Sequence, residues 1–223
     1  MIIRCCESVC VIKLSIKNMK EKYYVFLNLD NPVARQNFEA SGRITSSGFS
    51  RALSKTCFKK KYLSGSADYL PFVPNPKTDS TATSLFSLSV SDCYRIEYNA
   101  EICRKASFSH LPSRLSCIYA FKSLEDCEKA ISLYKWKEDD IKEFSLEENP
   151  LNKVHKANME VISLVRGFGY KSCLDSSEEN QLWNHYWSGG GSIKIDSPLV
   201  GCHESGEIWE YLIEGSLVHE NST

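Results

Sequence analysis

The sequence predicts an α+β fold in which strands dominate the functional half of the chain. Hydrophobic residues make up 42% and charged residues 25% of the 223 residues, which is typical of a globular protein long enough to bury a core. Alternating, β-branched and aromatic runs that indicate strands are interspersed with helical stripes, and no internal repeat is present. Disorder, collagen and coiled coil are therefore excluded.

The near-neutral charge and the lack of long apolar runs limit the kinds of molecule that the protein is expected to bind. Lys and Arg number 27 against 28 Asp and Glu, which argues against a protein that coats nucleic acid through bulk charge. A local basic patch remains compatible with this balance. No run approaches the roughly 20 apolar residues of a membrane helix. The longest apolar run near the start, Val9 to Leu14, contains Lys13 and is a poor secretory core, so we expect no membrane partner.

The cysteines indicate a reducing compartment. There are ten, but no CxxC pair, so neither a disulfide framework nor a structural zinc site is expected. Cys117 and Cys127 lie within apolar patterns, where a free thiol packs as a small hydrophobic group. We therefore predict a cytoplasmic protein without a bound metal.

The N-terminal part contains the first strand and helix. Because a second plausible start occurs at Met19, we assign residues 1–18 to an extension of unknown role and residues 19–223 to a single domain. The aromatic and branched run from Tyr23 to Leu29 predicts a strand, and Val33 to Ala40 predicts a short helix.

The segment from Ser46 to Ser91 is the least regular. It is rich in Ser, Thr, Lys and Pro, and Pro71, Pro74 and Pro76 interrupt any long element. We expect long loops here, with a strand from Ser84 to Val90.

Regular structure resumes at Cys93. The runs Cys93–Tyr98 and Ser116–Phe121 predict strands, and Ser123 is the N-cap of a helix, with Asp126 placed as in a capping box. A second helix is expected to start at Asn149-Pro150 and to end at Gly167 or Gly169. Further elements are a helix at Ser177–Trp187, whose aromatic end we interpret as core, and strands at Ser192–Ile195 and Glu207–Ile213.

A carboxylate in the last of these strands is the most informative feature. Alternation places Ile208, Glu210 and Leu212 on one face of the strand. The other face carries Trp209, Tyr211 and Ile213, and both faces are otherwise apolar. Such a strand is expected to be central in its sheet. A buried unpaired carboxylate is costly, so Glu210 either faces a functional cleft or lies at a sheet edge paired with a lysine.

Three segments form a pattern when they are taken together. They are the late strand and turn Trp209–Leu217, the strand and helix start Ser116–Ser123, and the opening strand, helix and turn Tyr23–Ile44. Together they resemble the ADP-ribosyltransferase family, which splits NAD and transfers its ADP-ribose. The resemblance implies split mixed β-sheets with flanking helices and a central NAD cleft, with NAD as co-substrate. The position two residues before the catalytic acid, an acid in the arginine-modifying members, is Ile208 here, which argues against arginine as acceptor.

The chemistry explains the residue types. Cleavage of the bond between nicotinamide and ribose passes through an oxocarbenium-like state that a carboxylate stabilises, and Glu210 is the catalytic candidate. Nicotinamide needs a flat partner and the pyrophosphate needs a cationic donor, for which Arg114 competes with Arg95. The cofactor-binding candidates are Tyr24, Arg95, Arg114, Ser116, Tyr119 and Phe121. Two alternatives stay open: Tyr119 as plain core, and Arg114 as half of a surface pair.

A basic run with interleaved aromatics supplies the acceptor candidates. These are Arg51, Lys55, Lys59, Lys60 and Lys61. Such a run suits the phosphates and stacked bases of nucleic acid, although it also fits a solvated basic loop. The resemblance then implies a toxin of a bacterial defence or toxin–antitoxin system that modifies RNA or DNA and is held in check by an antitoxin or chaperone. The alternatives are an effector that modifies protein, and a non-enzymatic NAD-binding, nucleotide-binding or interaction module.

Overall fold

The computed structural model describes residues 21–69, 85–169, 174, 176–197 and 201–219. The expectations for residues 1–18 and for the prolines at positions 71, 74 and 76 fall outside these ranges. The described helices are α1 (Pro32–Ser41), α2 (Ser47–Ser54), α3 (Thr56–Leu63), α4 (Leu85–Ser107), α5 (Leu124–Tyr134), α6 (Met159–Gly169) and α7 (Ser176–Trp187).

The described strands form two main sheets and a hairpin. They are β1 (Lys22–Phe26), β2 (Arg43–Thr45), β3 (Ile118–Ala120), β4 (Ile141–Leu146), β5 (Lys153–Asn158), β6 (Lys194–Ser197), β7 (Gly201–Glu204), β8 (Trp209–Glu214) and β9 (Ser216–His219). One sheet has the order β1-β4-β9-β2, another has the order β3-β8-β5, and β6 pairs with β7. The α+β class is confirmed, but every described strand pair is antiparallel, so the expected mixed strand directions are not found there.

Two links join the main sheets. Tyr24 and Phe121 exchange a pair of backbone hydrogen bonds, each 2.7 Å long, which places β1 beside the end of β3. In addition, β8 of the three-stranded sheet continues through Gly215 into β9 of the other sheet. The strand that carries Glu210 therefore lies close to the junction between the sheets.

The largest core lies between the three-stranded sheet and helices α4, α6 and α7. Leu212 of β8 packs there with Trp183 and Trp187 of α7, and all three are at most 1% exposed. The aromatic end of α7 is thus core, as the sequence indicated. This packing fixes the helical layer that covers the Glu210 face of β8.

Two strand predictions fall on α4 and are wrong. Both Ser84–Val90 and Cys93–Tyr98 overlap the helix that starts at Leu85. Ile96, Ala100 and Cys103 recur at helical spacing and are all buried, so the 3.6-residue period prevails over the short alternation within Cys93–Tyr98.

The expectation of loops after Ser46 is also wrong as far as Leu63. Phe49 and Ala52 of α2 and Tyr62 of α3 are buried and pack against Leu151. Burial of these few apolar residues stabilises two short helices that local propensity does not favour.

The helix expected from Asn149-Pro150 begins only at Met159. Residues Lys153–Asn158 form β5 instead, which pairs along its whole length with β8. A central strand must satisfy its backbone groups on both edges, and this requirement overrides the capping signal at Asn149. The predicted first strand, first helix, Ser123-capped helix, C-terminal helix and Glu210 strand are confirmed, each within a few residues.

No helix in the part of the chain that the structure describes combines the length and apolarity needed to span a bilayer.

Candidate active site

A cleft with a volume of about 680 Å³ opens beside the face of β8 that carries Glu210. Its walls come from the end of β1, from β3, from helices α4 and α6, and from the turn that follows α5. Aromatic rings form much of the lining, namely Phe26, Tyr119, Phe121, Tyr134 and Trp136. The volume lies within the range of about 300–1,000 Å³ that is usual for small-molecule sites.

Glu210 lies on the floor of this cleft. It is the second residue of β8, it is 5% exposed, and β8 is flanked by strands on both edges, so its backbone position is fixed. Oxygen Oε1 accepts a hydrogen bond from the Tyr186 hydroxyl (2.7 Å) and one from Nη1 of Arg114 (3.1 Å). Because both hydrogen bonds go to Oε1, Oε2 is the oxygen left to meet a ligand.

Arg114 is buried and is held by two carboxylates. Its Nε and Nη2 donate to the two oxygens of Glu97 at 2.9 and 3.0 Å, and Nη1 is 2.6 Å from the Tyr186 hydroxyl. The guanidinium lies 5.0 Å from the centre of the Tyr119 ring, which adds a cation–π contact. Arg114 is therefore not half of a surface pair, and most of its donors serve protein groups rather than the open cleft.

Burial and the neighbouring charges shift the pKa values of both Glu210 and Arg114. Burial raises the pKa of the Glu210 carboxyl above its ordinary value, although Arg114 and the Tyr186 hydroxyl oppose this effect. Burial lowers the pKa of Arg114, but Tyr186, Tyr119, Glu210 and Glu97 raise it more, so the net pKa lies well above the ordinary value and the cation stays charged. A carboxyl with a raised pKa in a cleft is typical of a group that exchanges protons or stabilises a cation.

A second buried cluster holds the loop that carries Arg114. Glu214, fully buried four residues after Glu210, accepts hydrogen bonds from the Ser116 hydroxyl and from the Ser113 backbone N–H (3.3 Å). Glu101, four residues after Glu97, accepts from the Ser113 hydroxyl at 2.8 Å. Helix α4 and strand β8 thus each give one carboxylate to the cleft and one to the anchoring of this loop.

Arg104 completes the anchoring cluster. Its Nε and Nη2 donate to Glu101 at 2.9 and 2.7 Å, and its Nη1 donates to the carbonyl oxygens of Ser109 and Leu111. The loop before β3 is therefore fixed at several backbone points, which orients Arg114 toward Glu210.

The structure brings four of the candidate residues into one cleft: Glu210, Arg114, Tyr119 and Phe121. Tyr119 is 38% exposed, so it is not plain core. Its hydroxyl donates to the Arg114 carbonyl oxygen at 2.7 Å.

Three of the candidate residues lie outside this lining. Tyr24 packs in a small apolar cluster with Phe121. Arg95 forms an ion pair with Glu179 between α4 and α7, so the expectation that it competes for the pyrophosphate is not supported. Ser116 is committed to Glu214 and lines a separate cavity of about 370 Å³.

The basic run lies on α2 and α3, with Lys55 at the junction between the two helices, rather than on a long loop. All five cations are exposed, and none lines the cleft. They are Arg51, Lys55, Lys59, Lys60 and Lys61.

Sequence reasoning missed three residues of the site. Glu97 was hidden by the strand interpretation of Cys93–Tyr98, whereas a helical reading pairs it with Glu101 at four-residue spacing. Tyr186 is fully buried, and only its hydroxyl reaches the site. Trp136 is the second residue after the end of α5 and is 39% exposed, a large ring left partly open to solvent.

Within the described ranges, no three His, Cys, Asp or Glu side chains are grouped so as to hold a metal ion. Residues 11–202 match a protein family described as "Protein of unknown function (DUF2441)". A search of curated proteins found no match.

Proposed function

The chain belongs to the DUF2441 family, and because that family has no assigned function, we propose from the geometry of the cleft that this protein is an NAD-dependent mono-ADP-ribosyltransferase. One observation carries the proposal. Glu210, Arg114 and Tyr119 face the same aromatic-lined cleft of about 680 Å³, as the resemblance to ADP-ribosyltransferases requires.

The arrangement suits the cleavage of a glycosidic bond. Nicotinamide leaves as the bond between its ring nitrogen and ribose C1′ breaks, and an acceptor oxygen or nitrogen forms the new bond to C1′. Arg114 and Tyr186 hold Oε1 of Glu210, so Oε2 can accept a hydrogen bond from a ribose hydroxyl and stabilise the positive charge that develops on the sugar. The raised pKa of Glu210 makes it a stronger base for the proton that the acceptor releases.

The acceptor in this proposal is RNA or DNA, modified by a toxin of a bacterial defence or toxin–antitoxin system. The exposed cations from Arg51 to Lys61 support a nucleic-acid acceptor, because they place five solvent-accessible positive charges within a short stretch of a chain whose net charge is only -1. Replacing Lys59, Lys60 and Lys61 with glutamine should weaken label transfer to nucleic acid and leave nicotinamide release unchanged. Loss of both activities together would assign these lysines a structural role instead.

The test of the activity is nicotinamide release from NAD. We expect Glu210→Gln to lower the rate by a factor of at least about 100, because the neutral amide stabilises an oxocarbenium-like state poorly. The control is Glu147→Gln, which changes an exposed carboxylate paired with Arg43 on the surface and should leave the rate unchanged. Incubation with labelled NAD and separate pools of RNA, DNA and protein then identifies the acceptor. Nicotinamide release that survives Glu210→Gln would exclude the assigned role.

A second candidate is a non-enzymatic nucleotide-binding module of the same fold. The observation that favours it is the ion pair with Arg114, which already neutralises Glu210. Calorimetry separates the two functions: NAD binding without nicotinamide release, in the presence of each acceptor pool, supports the binding module.

A further inference from the structure

The turn after α5 has an unusual backbone at the rim of the cleft. Lys135, which ends the helix, has φ 57° and ψ 35°, in the left-handed region that glycine normally occupies at this position. It is the one non-glycine residue with positive φ among the described residues. A side chain kept in such a conformation indicates a role that glycine could not fulfil.

Trp136, the next residue, presents an aromatic surface to the cleft. Its ring centre lies 4.8 Å from that of Phe26 and 5.5 Å from that of Tyr134, so it is held by packing. It is nevertheless 39% exposed and lines the cleft. A ring that is fixed on one side and open on the other is suited to stacking on a heterocyclic base.

The cations that line the cleft differ in whether a carboxylate of the protein already pairs with them. Arg114 serves Glu97, Glu210 and Tyr186, as described above. Arg166 also lines the cleft and pairs with Glu97 at 3.9 Å, and Lys137 pairs with Asp30 at 3.0 Å. Lys135 lines the cleft, and among the described residues no carboxylate lies within ion-pair distance of it. Its Nζ donates to the Ser132 carbonyl at 2.7 Å, an exposed contact that a stronger anionic acceptor can replace.

We propose that Lys135 and Trp136 form a binding subsite for a nucleoside diphosphate, in which Trp136 stacks on the base and Lys135 binds the phosphates. The subsite rests on the proposed function, because it would hold the ADP half of NAD. It assigns the phosphate contact to the rim of the cleft and leaves Arg114 to orient Glu210. The left-handed backbone at Lys135 is a cost in stability that glycine would avoid.

Calorimetric titration with ADP and with adenosine tests this subsite. Lys135→Gly and Lys135→Ala should each weaken ADP binding about tenfold, the loss expected for one charged hydrogen bond, and should leave adenosine binding unchanged. Trp136→Ala should weaken both ligands, whereas Trp136→Phe keeps a stacking surface and should retain most of the affinity. Lys129→Ala, on the exposed surface of α5, is the matched control and should bind as the wild type does.

Thermal melting supplies the second readout. Lys135→Gly removes the left-handed strain and should raise the melting temperature by about 2–4 °C, while Lys135→Ala keeps the strain and should not. Wild-type protein that does not bind ADP, or glycine and alanine variants that bind ADP normally, would overturn the subsite. Lys135-dependent ADP binding without nicotinamide release would instead keep the subsite and reject the transferase.

Discussion

Replacing Arg114 with leucine removes a cation that lies between two carboxylates, Glu97 and Glu210. The Arg114 side chain is 6% exposed, and its ion-pair partners Glu210 and Glu97 are 7% and 23% exposed. Breaking a buried pair by removing one partner typically costs about 3–5 kcal/mol, because the remaining charge stays desolvated. Since Glu210 is the deeper of the two acids, most of the cost should arise from its unpaired charge.

Urea unfolding at neutral pH measures this cost. We expect Arg114→Leu to lower the free energy of unfolding by about 3–5 kcal/mol and the melting temperature by roughly 10 °C. The matched control is Arg95→Leu, since Arg95 of α4 pairs with Glu179 of α7 and its side chain is 36% exposed. That loss should be about 1 kcal/mol or less.

The double variant Arg114→Leu/Glu210→Gln separates the cost of the unpaired Glu210 charge from the cost of losing the Arg114 side chain. Because the neutral amide leaves no buried carboxylate at position 210, the double variant should recover about 1–3 kcal/mol relative to Arg114→Leu alone. An Arg114→Leu variant as stable as Arg95→Leu, or a double variant less stable than Arg114→Leu alone, would show that the buried charge of Glu210 does not set the cost.

Three further predictions concern stability. Folding raises the pKa of Glu210 above its ordinary value of 4.5, so the protonated Glu210 stabilises the folded state below pH 4.5, and this stabilisation is lost as the pH rises through the folded-state pKa. Urea titrations should therefore show that the stability of the wild type relative to Glu210→Gln falls with rising pH. A rise would mean that the attraction between Arg114 and Glu210 dominates. Ser123→Ala removes the N-cap bond to the Asp126 N–H (3.1 Å) and should cost about 1 kcal/mol by urea unfolding, whereas Ser123→Thr should be nearly neutral. Gly65→Ala should cost about 2 kcal/mol or more, because φ is +72° and the new Cβ would lie 2.2 Å from the Ser109 carbonyl oxygen; an unchanged melting curve would contradict this.

The parts of the fold that could be predicted from the sequence are those with strong local signals. Ser123 caps α5 as expected, and the alternation around Glu210 correctly indicated a strand flanked on both edges. The wrong secondary-structure predictions concern segments whose conformation is set by tertiary contacts. Lys153–Asn158 is a strand because β8 requires a partner, and Leu151 belongs to a small core that packs on α2 and α3.

The residues of the candidate site also fall into those with a local sequence signal and those without one. Glu210 was recognisable because a carboxylate interrupted an apolar strand, and Tyr119 because it followed a strand pattern. The contact of Tyr186 with Glu210 was not predictable, since a buried tyrosine among tryptophans has the sequence signature of core. The left-handed backbone of Lys135 could not be foreseen either, because a backbone angle leaves no mark on composition or periodicity.

The division of the four acids between cleft and anchor sets how this family can diverge. Under the proposed function, homologues that no longer cleave NAD are expected to replace Glu97 and Glu210 while keeping Glu101 and Glu214, since the latter two secure the loop that carries Arg114. Homologues with altered specificity should instead vary around the rim. Inactive relatives would then be recognisable from an alignment alone, by the first pair changing without the second.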